Sequence, residues 1–170
     1  MANKQEALND ALNIVIDKFS DVAWRNGLGQ ERKSAAADME DLVENKCRKK
    51  SQDYHYRKAI REVVTPFCTM LSGDCQPGLP FNIQIKDFEA ERQGRNHALA
   101  IVLDEFRDFA HRMEQELKGA CSEIAEDMEK QVAYEGLNKS QHYKQTIADV
   151  VRPFYTMLND DCKPDRPINT

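Results

Sequence analysis

The chain has 170 residues, of which 41% are apolar and 31% charged, and its formal net charge is −5. An acidic balance argues against a generic nucleic-acid binder, and no apolar run is long enough to span a bilayer. Five cysteines, none in a CxxC pair, and the polar N-terminus MANKQEALND point to free thiols, a reducing compartment and a cytoplasmic location.

Helical periodicity begins near Asn3 and runs to Asn26. Leu8, Leu12, Val15, Ile16, Phe19 and Ala23 recur on one face, and Gly27-Leu28-Gly29 ends the helix. A second helix is expected from about Ser34 to Lys49, with Ala35, Met39, Leu42 and Val43 inward. A third runs from about Asp53 to Leu71, with Tyr56, Ile60, Val63, Val64, Phe67 and Leu71 on one stripe. Pro66 lies inside it and has no N–H for the Glu62 carbonyl, so either the helix kinks or Thr65 caps a new helix beginning at Pro66; Arg152, at the matching place in the second half, caps poorly and favours the kink. A tail follows with Cys75, Pro77, Pro80 and Asn82, its prolines at polyproline spacing. The alternation from Phe81 to Ile85 predicts a brief extended stretch within a linker over 76–90.

The second half runs through the same elements. Its helices are expected at about Asp87–Lys118, Ser122–Tyr134 and Ser140–Leu158, with Pro153 inside the last. A matching tail carries Cys162, Pro164, Pro167 and Asn169. The prolines could be read by a proline-binding module, but Phe81 and Ile168 are better placed to anchor each tail on its own bundle. Cys75 and Cys162 have no ligand partner nearby in sequence and read as small apolar residues rather than zinc ligands.

This correspondence is an internal repeat. HYRKAIREVVTPFCTML (55–71) and HYKQTIADVVRPFYTML (142–158) agree at 10 of 17 positions with an offset of 87. At the same offset Ala11–Arg25 and Ala98–Arg112 agree at more than half of their positions. The expected fold is all-α: a tandem duplication of a three-helix unit, six main helices in all, in pseudo-twofold or side-by-side bundles. The unit boundaries fall at 1–86 and 87–170. The first unit has a net charge of +1 and the second −6, which suits a partner that is itself basic.

Both copies hold an outward polar stripe on the first helix: Asp17, Asp21 and Arg25, then Asp104, Asp108 and Arg112. Pairs four residues apart add only a few tenths of a kcal/mol, so their retention points to a contact surface. Trp24 lies beside Arg25, off the core stripe, as a contact hot spot; the second copy has His111 there. On the third helix His55, Glu62 and Thr69 recur as His142, Asp149 and Thr156. Seven residues separate histidine from carboxylate by about 10 Å, too far for a direct bond, so the histidines are expected to start the helix or bond a loop.

Lys46, Arg48, Lys49, Lys50, Arg57, Lys58 and Arg61 form a basic patch; the second copy keeps Lys139, Ser140 and Gln141 of the Lys-Ser-Gln step but loses most of the charge. Such a patch is a solvated face or an anion site. The second helices are acidic, with Asp38, Glu40, Asp41 and Glu44, then Glu123, Glu126, Asp127 and Glu129. Two carboxylates on one helix with another on the next can hold Mg²⁺, but a solvated acidic face is the simpler reading.

The residues expected to bind are Asp17, Asp21, Trp24, Arg25, Lys50, His55, Asp104, Asp108, Arg112, Lys139 and His142. They predict a non-enzymatic protein-binding module, an inhibitor, adaptor or assembly factor on a larger protein such as a nucleic-acid-handling enzyme. No catalytic residue, metal ligand or cofactor is assigned. One alternative is a binder that sequesters a phosphorylated small molecule or nucleotide at the inter-repeat interface. The other is a metal-dependent all-α hydrolase.

Overall fold

The computed structural model describes residues 2–26, 29–49, 53–86 and 88–160, with backbone alone at 2 and 3. Six helices account for most of them: α1 (Ala2–Asn26), α2 (Gly29–Lys49), α3 (Tyr54–Ser72), α4 (Glu89–Glu116), α5 (Ala120–Glu135) and α6 (Gln141–Asn159). No strand occurs among the described residues, and no described helix is long and apolar enough to cross a membrane. The all-α expectation therefore holds. The second tail, with Cys162, Pro164, Pro167 and Asn169, lies outside the described residues, as do Lys50, Ser51 and Gln52.

Local chemistry explains where the helices begin. Asp53 accepts a hydrogen bond from the Tyr56 N–H to cap α3, and Ser140 accepts from the Tyr143 N–H to cap α6. The α5 start is capped from a distance: the Glu114 carboxylate accepts from the N–H groups of Gly119 and Cys121. Those two bonds hold its carboxyl below the usual carboxylate range. Pro66 and Pro153 both sit inside helices that continue through them, so neither proline restarts a helix.

Two expectations need correction. Helix α2 starts at Gly29, not near Ser34. Its added turn has no apolar periodicity, but Glu31 pairs with Arg112 and Arg32 Nη1 donates to Cys75 Sγ at 2.7 Å, contacts that are long-range in sequence. Leu42 was expected inward and is 38% exposed, while Ala35, Met39 and Val43 are buried.

The helices pair in a crossed fashion. Helix α3 packs chiefly on α2 and α4, α6 chiefly on α5 and α1, and α1 meets α4 in the middle. Thus α1 lies mainly against the last helix of the chain, and α4 against a helix from the first half. Near their starts, Tyr143 Oη donates to Asp10 at 2.6 Å across α6 and α1, and Tyr56 Oη meets His97 Nδ1 at 2.6 Å across α3 and α4. Tyr56 stands 87 residues before Tyr143, and Asp10 stands 87 before His97.

One core results. Four phenylalanines form a chain through it: Phe67 to Phe19 at 5.6 Å, Phe19 stacked on Phe106 at 4.9 Å, Phe106 to Phe154 at 5.8 Å. All four are fully buried, and each contributes about 1.5–3 kcal/mol by leaving water. Helix α4 comes close to α3 at Gly94, where an added Cβ would stand 2.7 Å from the Tyr56 carbonyl oxygen.

The linker is held by a polar ladder. Residues 81–85 are extended, as expected, and no neighbouring strand satisfies their backbone. Instead Phe81 N–H donates to Asn13, Ile83 N–H to Asn9 and Ile85 N–H to Gln5, at 2.8–3.0 Å. Asn9 also donates to the Ile83 carbonyl at 2.9 Å. The four-residue spacing of Gln5, Asn9 and Asn13 puts all three on one face of α1. Phe81 and Ile83 are then buried, with the Phe81 ring 5.9 Å from Phe67.

Candidate functional site

The most distinctive surface runs along the outward face of α1. A cleft of about 790 Å³ lies between α1 (Asp10, Asn13, Asp17), the linker (Pro77 to Pro80) and α5 (Tyr134, Glu135). A second, of about 390 Å³, lies between Asp17, Asp21 and Trp24 on one side and Asp74 and Pro77 on the other. Asp17 and Pro77 belong to both, so the two form one groove.

Three large apolar side chains stand in water around it: Leu79 at 93% exposure, Tyr134 at 72% and Trp24 at 62%. Leaving them wet forfeits burial energy, and such residues grouped around one depression mark an interaction surface. The groove is also acidic. Asp10, Asp17, Asp21, Asp74 and Glu135 line it. The two lysines present are each beside a carboxylate, Lys18 at 4.0 Å from Asp127 and Lys130 at 3.1 Å from Glu126. Asp21 pairs with Arg25 at 3.3 Å, an exposed pair of little strength.

No protein family, no curated protein and no solved structure matches this chain. Its function has to be read from the geometry.

The residues expected to bind do not converge on one place. Asp17, Asp21 and Trp24 line the groove, and Arg25 flanks it through Asp21. Asp104, Asp108 and Arg112 lie along α4, where Arg112 pairs with Glu31 and covers the Phe109 ring at 5.1 Å. His55 stacks on Phe88 at 4.2 Å, so it packs against the start of α4. Lys139 pairs with Glu6 at 3.0 Å and lies 5.2 Å over the Tyr143 ring. His142 lines a separate small cavity with Arg95 and Lys4. Lys50 lies outside the described residues. Arg25, Arg112 and Lys139 are each matched by a carboxylate of the chain itself.

One group between Asp104 and Asp108 escaped the sequence reading. Burial pushes the Glu105 carboxyl up to about 7, and the carboxylates of Asp108, Asp38 and Asp104 push it the same way. Glu105 stands 87 residues after Lys18, so where one half has a lysine facing Asp127 the other has a glutamate near Asp38. Charge reversal at matched positions was the available signal. Among the described residues, no three His, Cys, Asp or Glu side chains gather in a way that could hold a metal ion. Burial also pushes the Cys68 thiol up to about 12 and the Tyr56 hydroxyl to about 12, which keeps both protonated.

Leu79, Tyr134 and Asp74 were also missed. Nothing in a one-dimensional pattern says that a linker, the first helix and the fifth helix share a rim. The Asn9–Asn13 spacing beside an apolar stripe was a usable sign that α1 receives a backbone there.

Proposed function

We propose that this chain is a non-enzymatic binding module that docks a basic segment of a larger protein in the α1–linker–α5 groove. One observation carries the reading: three exposed apolar anchors, Leu79, Tyr134 and Trp24, ring a groove lined by five carboxylates. An occupant with lysines or arginines between apolar side chains meets both features. Aromatic anchors surrounded by charge supply affinity at the centre and steering at the rim. An inhibitor, adaptor or assembly factor would act in this way, and a basic nucleic-acid-handling enzyme has the complementary surface. The free, buried thiols Cys47, Cys68 and Cys75 suit a reducing compartment such as the cytoplasm.

We further infer that the fold descends from a tandem duplication, with units 1–86 and 87–170 related by a pseudo-twofold axis. The support lies in matched contacts: Phe19 on its counterpart Phe106, and the tyrosine pairs Tyr56–His97 and Tyr143–Asp10. On this reading the first helices are exchanged between the units. The groove then uses surfaces that differ between copies, since Trp24 corresponds to His111.

Site-specific photo-cross-linking tests the docking reading. A photoreactive phenylalanine replaces Leu79 in one variant and Leu117, exposed but off the groove, in another. In extract of the native cells, Leu79 variants should capture a peptide with net positive charge that the Leu117 variants do not. Identical adducts from both positions, or an acidic captured peptide, would overturn it.

A further inference from the structure

We propose a second binding site, for a small organic carboxylate, in the cavity between the start of α1, the end of the linker, α4 and α6. It is distinct from the groove and does not depend on the docking reading. The cavity measures about 190 Å³ and is the most enclosed of the depressions described. Leu8, Ile85 and Val150 form its apolar wall, Lys4 and Arg95 bring positive charge to it, and His142 and Asp149 complete its polar side.

Arg95 is the central observation. Its residue is only 4% exposed, and burying a guanidinium is costly unless its donors are used. Among the described residues its contact is with Glu91, through Nη1 to Oε1 at 2.7 Å. A guanidinium has five N–H donors in a planar fork, so the bond to Glu91 leaves most of the fork of this cavity-lining residue without a described protein acceptor. Glu91 balances the charge and occupies one donor, and its carboxylate also accepts the Lys86 N–H at 3.0 Å.

Asp149 is engaged by Gln145 at 2.8 Å. Neither Lys4 nor the His142 ring has an ion pair among the described residues. An unused planar fork with the Lys4 ammonium in the same lining selects an anion, and the fork geometry selects a carboxylate. The apolar wall accommodates a short alkyl chain. The volume sets the size: drug-sized ligands need about 300 Å³ or more, so the ligand here has fewer heavy atoms than those.

Thermal shift and calorimetric titration with hexanoate, hexanol and inorganic phosphate test this. Hexanoate should raise the melting temperature by about 2 °C or more at saturation, because it binds the native state alone. Hexanol, with the same tail and no charge, and phosphate, with charge and no tail, should do much less. In the Lys4→Glu/His142→Glu variant, which leaves Arg95 and the core untouched, hexanoate affinity should fall at least tenfold. In Asp17→Lys/Asp21→Lys it should not change. No shift with hexanoate, an equal shift with hexanol or phosphate, or full affinity in the Lys4/His142 variant would each overturn the proposal.

Discussion

Replacing Glu105 by glutamine should stabilise the protein at alkaline pH and leave it unchanged in acid. The carboxyl is partly buried and faces Asp108, Asp38 and Asp104, which together raise it from 4.5 to about 7. At about 1.4 kcal/mol per pH unit, that rise sets a ceiling of about 3.5 kcal/mol. The side chain keeps some contact with water, which screens the carboxylates, so about 1–2 kcal/mol is the expected effect. The sign follows from proton binding. Between pH 4.5 and 7 the folded state holds a proton that the unfolded state has lost. The contribution of this group is therefore fully present below pH 4.5 and disappears as pH rises through about 7. Glutamine is neutral throughout and pays no such penalty. Urea unfolding at pH 5 and pH 8 measures the difference. Glu105→Gln should match wild type at pH 5 and exceed it by about 1–2 kcal/mol at pH 8, or about 2–6 °C in melting temperature. A difference that is the same at both pH values, or a less stable variant at pH 8, would refute the assigned environment.

Glu105→Lys should stabilise further, because it recreates beside Asp38 the pairing that Lys18 makes with Asp127; a melting temperature below that of Glu105→Gln would contradict this. Gly94→Ala should cost about 1–3 kcal/mol in denaturant unfolding, since the new methyl meets backbone at the Tyr56 carbonyl and the helices must separate. Asn9→Ala should cost about 1–3 kcal/mol and speed proteolysis of the linker, because the Ile83 N–H and carbonyl both lose their partner. Cleavage at an engineered protease site at Gly78–Leu79 should leave the two fragments bound through one gel-filtration run, since each half packs its first helix mainly against the other; separation into halves would show independent bundles.

Much of the fold was legible because helices announce themselves by spacing. The stripe from Leu8 to Ala23 and the stripe from Tyr56 to Leu71 both became core faces. The caps Asp53 and Ser140 marked two helix starts. The start of α2 was not legible, because Glu31 and Arg32 are held by Arg112 and Cys75, far along the chain. Crossed pairing was equally hidden: an amphipathic stripe says that a face is buried and not which helix covers it. At the candidate site Asp17, Asp21 and Trp24 could be found because outward polar and aromatic residues stand out against the apolar period. Leu79 and Tyr134 became meaningful only when the linker folded back along α1.

The central claim is that an acidic groove with apolar anchors holds a basic segment. Trp24 is the chain's only tryptophan and lines that groove, so its fluorescence reports occupancy directly. The deciding measurement is a titration with an arginine-rich peptide carrying two leucines, in wild type and in Asp17→Lys/Asp21→Lys. Saturable binding that weakens at least tenfold in the variant, and with added salt, is the predicted result. An unchanged signal, or equal affinity in both proteins, would contradict the account.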